Sequence, residues 1–283
     1  MINLHTHSNH SLDGTLDVNE VLNICGKNNI SYVSITDHDT CDAYNDIKEN
    51  NFKGTIIYGM EADALIGKET YDILCYGFNL ENISNWTKKQ YTTIQERQTK
   101  IFNVLKQICE EKDIALDDKI PYNPKDEYAH GAIFRMLEDS FKEKYKLTRI
   151  SDLYRESTIN EDFPLYMNMS IVWPTIEEVR DVIHENGGLI FLAHPFKYGK
   201  KDANELLHQA LPYIDGIEVY NGNTEAETEF LYNFAKENNL LISCGSDFHG
   251  TDNHNDINVN ITDEMQKEII SWIEKNPNKL ILK

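Results

Sequence analysis

Short runs of apolar and β-branched residues recur at 2–7, 32–36 (YVSIT), 55–60 (TIIYGM), 71–77 (YDILCYG), 189–193 (LIFLA), 216–220 (GIEVY) and 240–244 (LLISC). Each has the length of a buried strand. Between most of them the apolar positions take a helical period. Asp17-x-x-Glu20 has the form of a capping box and opens a helix reaching Lys27. Helices are also predicted over 175–186, with Gly187-Gly188 as the stop, and over 225–238. Strand alternating with helix predicts an α/β fold with a largely parallel sheet. Seven such strands are enough to close as a barrel, although an open doubly wound sheet has the same periodicity.

One stretch breaks the rhythm. From 86 to 170 the chain shows a long helical pattern (86–112), a loop with Pro121 and Pro124, and helix-like segments over 132–145. No buried strand is evident there. Residues 86–170 are therefore expected to form a helical insertion capping the active-site face. Residues 1–85 and 171–283 are left for the barrel.

The 283 residues are 40% hydrophobic and 26% charged, which suits one large soluble domain or one domain carrying an insertion. The first residues lack the basic-then-apolar order of a signal peptide. No apolar run nears the ~20 residues of a membrane span. A cytoplasmic protein with no membrane partner is expected. The five cysteines are scattered and lack a Cys-x-x-Cys pair, as reduced thiols would be. The net charge of −20 repels polyanions, so no long nucleic acid is expected as a partner. A small phosphate ester differs, because bound divalent cations reverse the local field.

The polar residues fall at the strand ends. His5 and His7 close the first strand and Asp13 lies in the loop after it. Asp37-His38-Asp39 follows the second strand and Glu61 the third, while Asp72 lies within the fourth. His194 follows LIFLA, and Asp247 and His249 follow the last strand. In a parallel barrel those ends converge on one face. The two-residue period of a strand points His5 and His7 the same way, as chelation requires. Imidazoles mixed with carboxylates suit two or three ions of Mn, Fe or Zn.

Six short motifs carry a resemblance: His5-Thr6-His7-Ser8, Leu12-Asp13-Gly14, Thr36-Asp37-His38-Asp39, Gly59-Met60-Glu61, Ala193-His194-Pro195 and Gly245-Ser246-Asp247-Phe248-His249. In this order they resemble the PHP (polymerase and histidinol phosphatase) family. The resemblance implies a distorted seven-stranded (β/α)7 barrel and a trinuclear metal centre. It also implies a ligand assignment, with His5, His7, Glu61 and Asp247 around one metal. Glu61 would bridge to a second metal that also takes His194, and Asp13, His38 and His249 would hold a third. The family has a histidine where this chain has Asp72, a harder ligand that would shift metal preference or weaken the second site. Asp37 and Asp39 are expected to orient His38.

Within the family, the insertion, Arg97, His130 and the run Gly216-Ile217-Glu218-Val219 look most like the small-nucleotide phosphoesterases, among them nucleoside 3',5'-bisphosphate phosphatases. That likeness nominates Arg97, Lys100, His130, Arg135 and Lys197 for substrate phosphate, with His130 also a candidate leaving-group acid. Lys100 and Lys197 stand where arginine is usual, keeping the charge but losing the bidentate fork. Arg97 and Lys100, three apart, are expected on one helix face. The expected reaction is hydrolysis of a small phosphomonoester, a nucleotide, by water activated on the cations. The alternatives are cleavage of short oligonucleotides, histidinol phosphate hydrolysis, C–N hydrolysis, and a metal-stabilised binding module. Nothing in the sequence bears on oligomeric state.

Overall fold

The computed structural model describes residues 1–11, 13–48, 52–198, 203–251 and 255–282. Leu12 of the Leu12-Asp13-Gly14 motif and His254 lie outside the described residues. The chain divides into two compact units. The first comprises Met1–Ile66, Tyr71–Lys89 and Thr175–Lys283, and the second Gly67–Thr70 and Gln90–Pro174. No helix among the described residues is long and apolar enough to cross a membrane. All five cysteines are buried free thiols.

The fold is mixed α/β. In the first unit β1 (Ile2–Asn3), β2 (Tyr32–Val33), β3 (Gly54–Ile57) and β9 (Lys279–Leu282) form one sheet in the order β1-β2-β3-β9. The other sheet runs β4-β5-β6-β7-β8, from β4 (Gly59–Ile66), β5 (Glu69–Tyr76), β6 (Leu189–Leu192), β7 (Gly216–Tyr220) and β8 (Leu241–Cys244). β1-β2-β3 and β6-β7-β8 are parallel. Their helices follow the side-chain pattern. α7 (Ile176–Glu185) opens with a reciprocal Thr175/Glu178 capping box and buries Ile176, Val179 and Ile183. Each such side chain contributes roughly 1.5–3 kcal/mol. α9 (Glu225–Glu237) covers β7 and β8, and α10 (Asp263–Lys275) covers β8. α1 (Val18–Lys27) has the Asp17/Glu20 capping box.

The structure corrects the expected sheet in three places. The predicted strand 55–60 is two strands, β3 and β4, which belong to different sheets. β5 runs antiparallel to β6, and β3 antiparallel to β9, a short closing strand that the sequence pattern did not indicate. Side-chain periodicity is identical in both strand directions, so it carries no signal for this. Among the described residues the ladders do not close into a barrel. The two sheets instead meet through isolated parallel bridges, Thr6 with Phe248 and His38 with Glu61. Both bridges lie among the predicted site residues.

Helices dominate the second unit. The predicted 86–112 helix is interrupted. α2 (Leu80–Gln90) stops, and α3 (Ile94–Glu111) restarts behind a Thr93/Glu96 capping box. Thr93-x-x-Glu96 is a helix-start signature, and Thr92-Thr93 are weak helix formers, so this break was readable. α3 buries Ile101, Leu105 and Cys109, one stripe at four-residue spacing, and packs on α4 (Ala129–Met136). α4 in turn packs on α6 (Ile150–Ile159). The predicted 132–145 segment is α4 and the separate α5 (Asp139–Lys144), parted at Leu137, which bridges Leu116.

Candidate metal centre

The chain stays extended past β1, so alternate side chains face opposite ways. Thr6 Oγ1 donates to the Ser34 carbonyl at 2.8 Å, tying this segment to its neighbour. His5 and His7 turn to the other side, where their Nε2 atoms lie 3.1 Å apart. Both are fully buried. Glu61 Oε2 is 3.1 Å from His5 Nε2 and 3.2 Å from His7 Nε2, while Asp247 Oδ1 is 3.3 Å from each. Asp13 Oδ2 lies 3.6 Å from His38 Nε2 and 3.3 Å from His249 Nε2. Glu61 Oε1 lies 3.0 Å from His194 Nε2, with Asp72 Oδ2 at 3.6 Å from the same nitrogen.

The nine predicted ligands thus fall into three groups with metal-ligand spacing: His5, His7, Glu61 and Asp247; His7, Asp13, His38 and His249; Glu61, Asp72 and His194. His7 and Glu61 each belong to two groups. Two loop conformations help to build them. His194 and Asp247 have positive φ (25° and 57°), a region that L-residues rarely occupy and that clusters at functional sites.

The outward nitrogens show that the cluster suits cations. His5 Nδ1 lies 3.0 Å from Glu218, a carboxylate, so it carries the proton. His249 Nδ1 donates to the Asp247 carbonyl at 2.7 Å. Ser11 Oγ donates to Asp37 at 3.0 Å, which leaves it to accept from His7 Nδ1 at 2.9 Å. All three rings therefore turn an Nε2 lone pair inward, toward one another and toward carboxylate oxygens. Such facing lone pairs repel unless a proton or a cation lies between them. This is the arrangement of metal-binding histidines held from behind by hydrogen-bond acceptors.

Without metal, protons take that place. Burial alone would push His5 and His7 down, but the carboxylates prevail. Glu61, Glu218 and Asp247 hold His5 well above its usual value, and Asp247 and Glu61 hold His7 at about 9. A hydrogen bond from His249 leads in lowering Asp13 to about 2. Burial and the neighbouring Glu61 push Asp72 up to about 7. The groups open onto a cavity of about 300 Å³ lined by seven of the predicted ligands, with Lys197 and Thr251 at its wall.

A PHP domain model matches residues 3–194. The chain belongs to the PHP domain family. This PHP chain is 24% identical over 264 residues to a 5'-3' exoribonuclease of Haemophilus influenzae, covering 87% of this chain and 89% of that one. It is 26% identical over 257 residues to the 5'-3' exoribonuclease Rnm of Escherichia coli, covering 87% and 84%. Its fold resembles that of an amidohydrolase from Chromobacterium violaceum, with a TM-score of 0.61, 19% identity and 99% and 97% of the two chains covered. It also resembles a metal-dependent phosphoesterase from Bifidobacterium adolescentis, with a TM-score of 0.56, 21% identity and 95% of each chain covered. The PHP chain is a metal-dependent hydrolase acting on phosphoric esters.

Several residues around the PHP centre were not singled out from the sequence. Asn3 Nδ2 donates to Ser246 Oγ at 2.7 Å and its Oδ1 accepts from the Ser246 amide at 3.2 Å, fixing the loop that carries Asp247. Glu218 and Asn221 lie behind His5, and Tyr198 Oη contacts Asp72 Oδ2 at 3.3 Å. Glu218 had a visible signal, a charge inside an otherwise apolar strand. The bonds of Asp37 and Asp39 run to nearby hydroxyls and main-chain amides. Asp37 accepts from Ser8 and Ser11, and through Ser11 it orients His7 as well as the His38 main chain. Asp39 accepts from the Asp63 amide.

Of the five phosphate candidates, Lys197 lines the cavity, with its Nζ 2.8 Å from Asp247 Oδ2. The other four belong to the second unit. Arg97 stacks over Trp173, 4.4 Å from the ring centroid, while Lys100 lines a shallow surface with Gln95, Glu96, Thr99 and Asn103. The two lie three apart on α3, as expected, with different neighbours. Arg135 pairs with Glu127. Elsewhere His184 bonds Asp215 at 2.8 Å and His208 packs on Phe234, both structural contacts.

His130 is buried, with Nε2 3.0 Å from Ser157 Oγ, and burial pushes it down to about 4. A neutral ring packed inside the unit is poorly suited to donate a proton or to hold phosphate. Its folded value lies below its ordinary 6.5, so its contribution to stability is complete above pH 6.5 and is lost as pH falls toward 4. The full loss is about 3 kcal/mol. Urea unfolding should show a larger drop from pH 7 to pH 5 in the wild type than in His130→Leu. Parallel pH profiles would contradict this assignment.

Proposed function

We propose that this centre cleaves phosphodiesters at the 5' end of an RNA strand, releasing nucleotides in succession. The carrying observation is the cavity floor, where three donor groups sharing His7 and Glu61 lie together beside the cation Lys197 of the cavity wall. The substrate class comes from the two relatives named 5'-3' exoribonuclease, which the chain matches over 87% of its length. We also read the Thr6–Phe248 and His38–Glu61 bridges as seams of a distorted barrel, and residues 86–170 as an insertion in its sequence.

A nucleic-acid substrate corrects the expectation drawn from net charge. A charge of −20 sums the whole chain, whereas charges more than about 8 Å from a strand end are largely screened at physiological ionic strength. Locally, the carboxylates Asp13, Glu61, Asp72 and Asp247 would hold two or three divalent cations, and the loaded floor would be neutral to positive. Bound Mn, Fe or Zn would polarise phosphoryl oxygens and lower the pKa of water. The chain's own residues do the rest. Glu218, Ser11 and the Asp247 carbonyl keep His5, His7 and His249 in the ligating tautomer. Lys197, whose Nζ lies 2.8 Å from Asp247 Oδ2 at the cavity wall, would hold a non-bridging phosphoryl oxygen.

The test is an RNA oligonucleotide with a 5' phosphate and a 3' fluorophore, incubated with protein and Mn2+. The expected result is a ladder shortening from the 5' end, with mononucleotides released. Intact RNA, with inorganic phosphate released only from a nucleoside 3',5'-bisphosphate, would shift the assignment to a phosphomonoesterase on the same centre.

A further inference from the structure

β7 carries one carboxylate, Glu218, and its side chain is wholly buried. An ionised carboxylate out of water costs several kcal/mol unless partners replace the lost solvation. Three donors do so here. His5 Nδ1 lies 3.0 Å from Oε1, while Oε2 accepts from the His194 amide at 2.9 Å and from Asn221 Nδ2 at 3.0 Å. Glu218 belongs to none of the three donor groups, yet it touches a member of two. His5 is in the group with His7, Glu61 and Asp247, and His194 is in the group with Glu61 and Asp72.

The two arms act differently. At His5 the carboxylate grips the ring itself, fixing the proton on Nδ1 and leaving Nε2 for an ion. At His194 the ring has no such grip, since its Nδ1 is buried without a partner among the described residues. The main chain there is held at φ 25°, a conformation that persists only when its surroundings impose it. The bond from the His194 amide to Glu218 is one such restraint.

We propose that Glu218 is a positioning residue that sets two ion sites at once, through the His5 ring and through the His194 main chain. This rests on the metal-centre reading above. A glutamine at 218 can accept at only one end. If its amide nitrogen faces His5, the ring must move its proton to Nε2, which then points N–H at the ion site. If it faces His194, two donors oppose each other and the strained turn relaxes. Aspartate keeps the charge but is one methylene short of both arms.

The experiment titrates Mn2+ alone into metal-stripped full-length wild type, Glu218→Gln and Glu218→Asp by calorimetry, and compares the Tm rise on loading. Roughly 10–100-fold weaker binding is expected for two classes of site in Glu218→Gln, with an intermediate loss in Glu218→Asp. The ion held by Asp13, His38 and His249 should keep its wild-type affinity, and the Mn2+-dependent Tm rise should shrink. A purely structural role would lower the Tm of stripped and loaded protein equally, and an unchanged rise with wild-type affinities would overturn the proposal. So would failure of both variants to fold, which would assign the carboxylate to the core. Wild type that takes up no Mn2+ would instead overturn the metal-centre reading, a separate result.

Discussion

Glu61→Gln is expected to reduce phosphoester hydrolysis by about three orders of magnitude or more while leaving the protein folded. Glu61 is the one carboxylate shared by two donor groups. Its Oε2 lies within 3.5 Å of nitrogens of His5, His7 and His38, and its Oε1 is 3.0 Å from His194 Nε2. Glutamine matches the size but removes the negative charge, and it places an amide N–H where an imidazole lone pair now points. Two ions lose a ligand together. Cation stabilisation of phosphoryl transfer is worth several kcal/mol, which corresponds to about a thousandfold in rate. Steady-state kinetics with saturating Mn2+ provide the check. A kcat within tenfold of wild type would show that Glu61 does not bridge.

Gly245→Ala is expected to destabilise the protein by about 3 kcal/mol or more and to weaken metal binding with it. A Cβ at 245 would stand 2.1 Å from His5 Cβ and 2.7 Å from the His5 amide nitrogen. The obstruction is main chain and cannot swing aside. Hydrogen bonds enclose the contact, from the Leu4 amide to the Cys244 carbonyl and from the Asp247 amide to the His5 carbonyl, both 2.9 Å. Parting these segments separates His5 from Asp247, which belong to one donor group. Gly222→Ala is the comparison. It has φ 67° with nothing within 4 Å of its Cβ, so only the backbone penalty of roughly 1–2 kcal/mol is expected. Urea midpoints of the two variants measure the difference, and equal midpoints would contradict the close-packed seam.

The candidate site was largely visible in the sequence because most of the residues in its three groups obey a local rule, at or near the end of an apolar run. His5 and His7 needed only the period of a strand, and His194 and Asp247 only the ends of LIFLA and LLISC. What surrounds them was hidden because it is long-range. His5 meets Glu218 across 213 positions and Asn3 meets Ser246 across 243, and no spacing rule reaches so far. Strand direction was hidden for another reason. The antiparallel pairing of β5 with β6 leaves side-chain alternation unchanged. The break before α3 was different, since Thr93-x-x-Glu96 announced it, but the apolar periodicity on either side masked the signal. On the proposed reading, net charge is a poor guide because it averages over distances that salt screens.

The most direct test follows mononucleotide release from 5'-phosphorylated RNA as Mn2+ is titrated into metal-stripped wild type. No release should occur in stripped protein, and activity should rise with bound Mn2+ and vanish again on chelation. RNA hydrolysis that proceeds at full rate in stripped protein, or a fully loaded protein that cleaves no phosphoric ester, would contradict a hydrolytic metal centre built on His5, His7 and their partners.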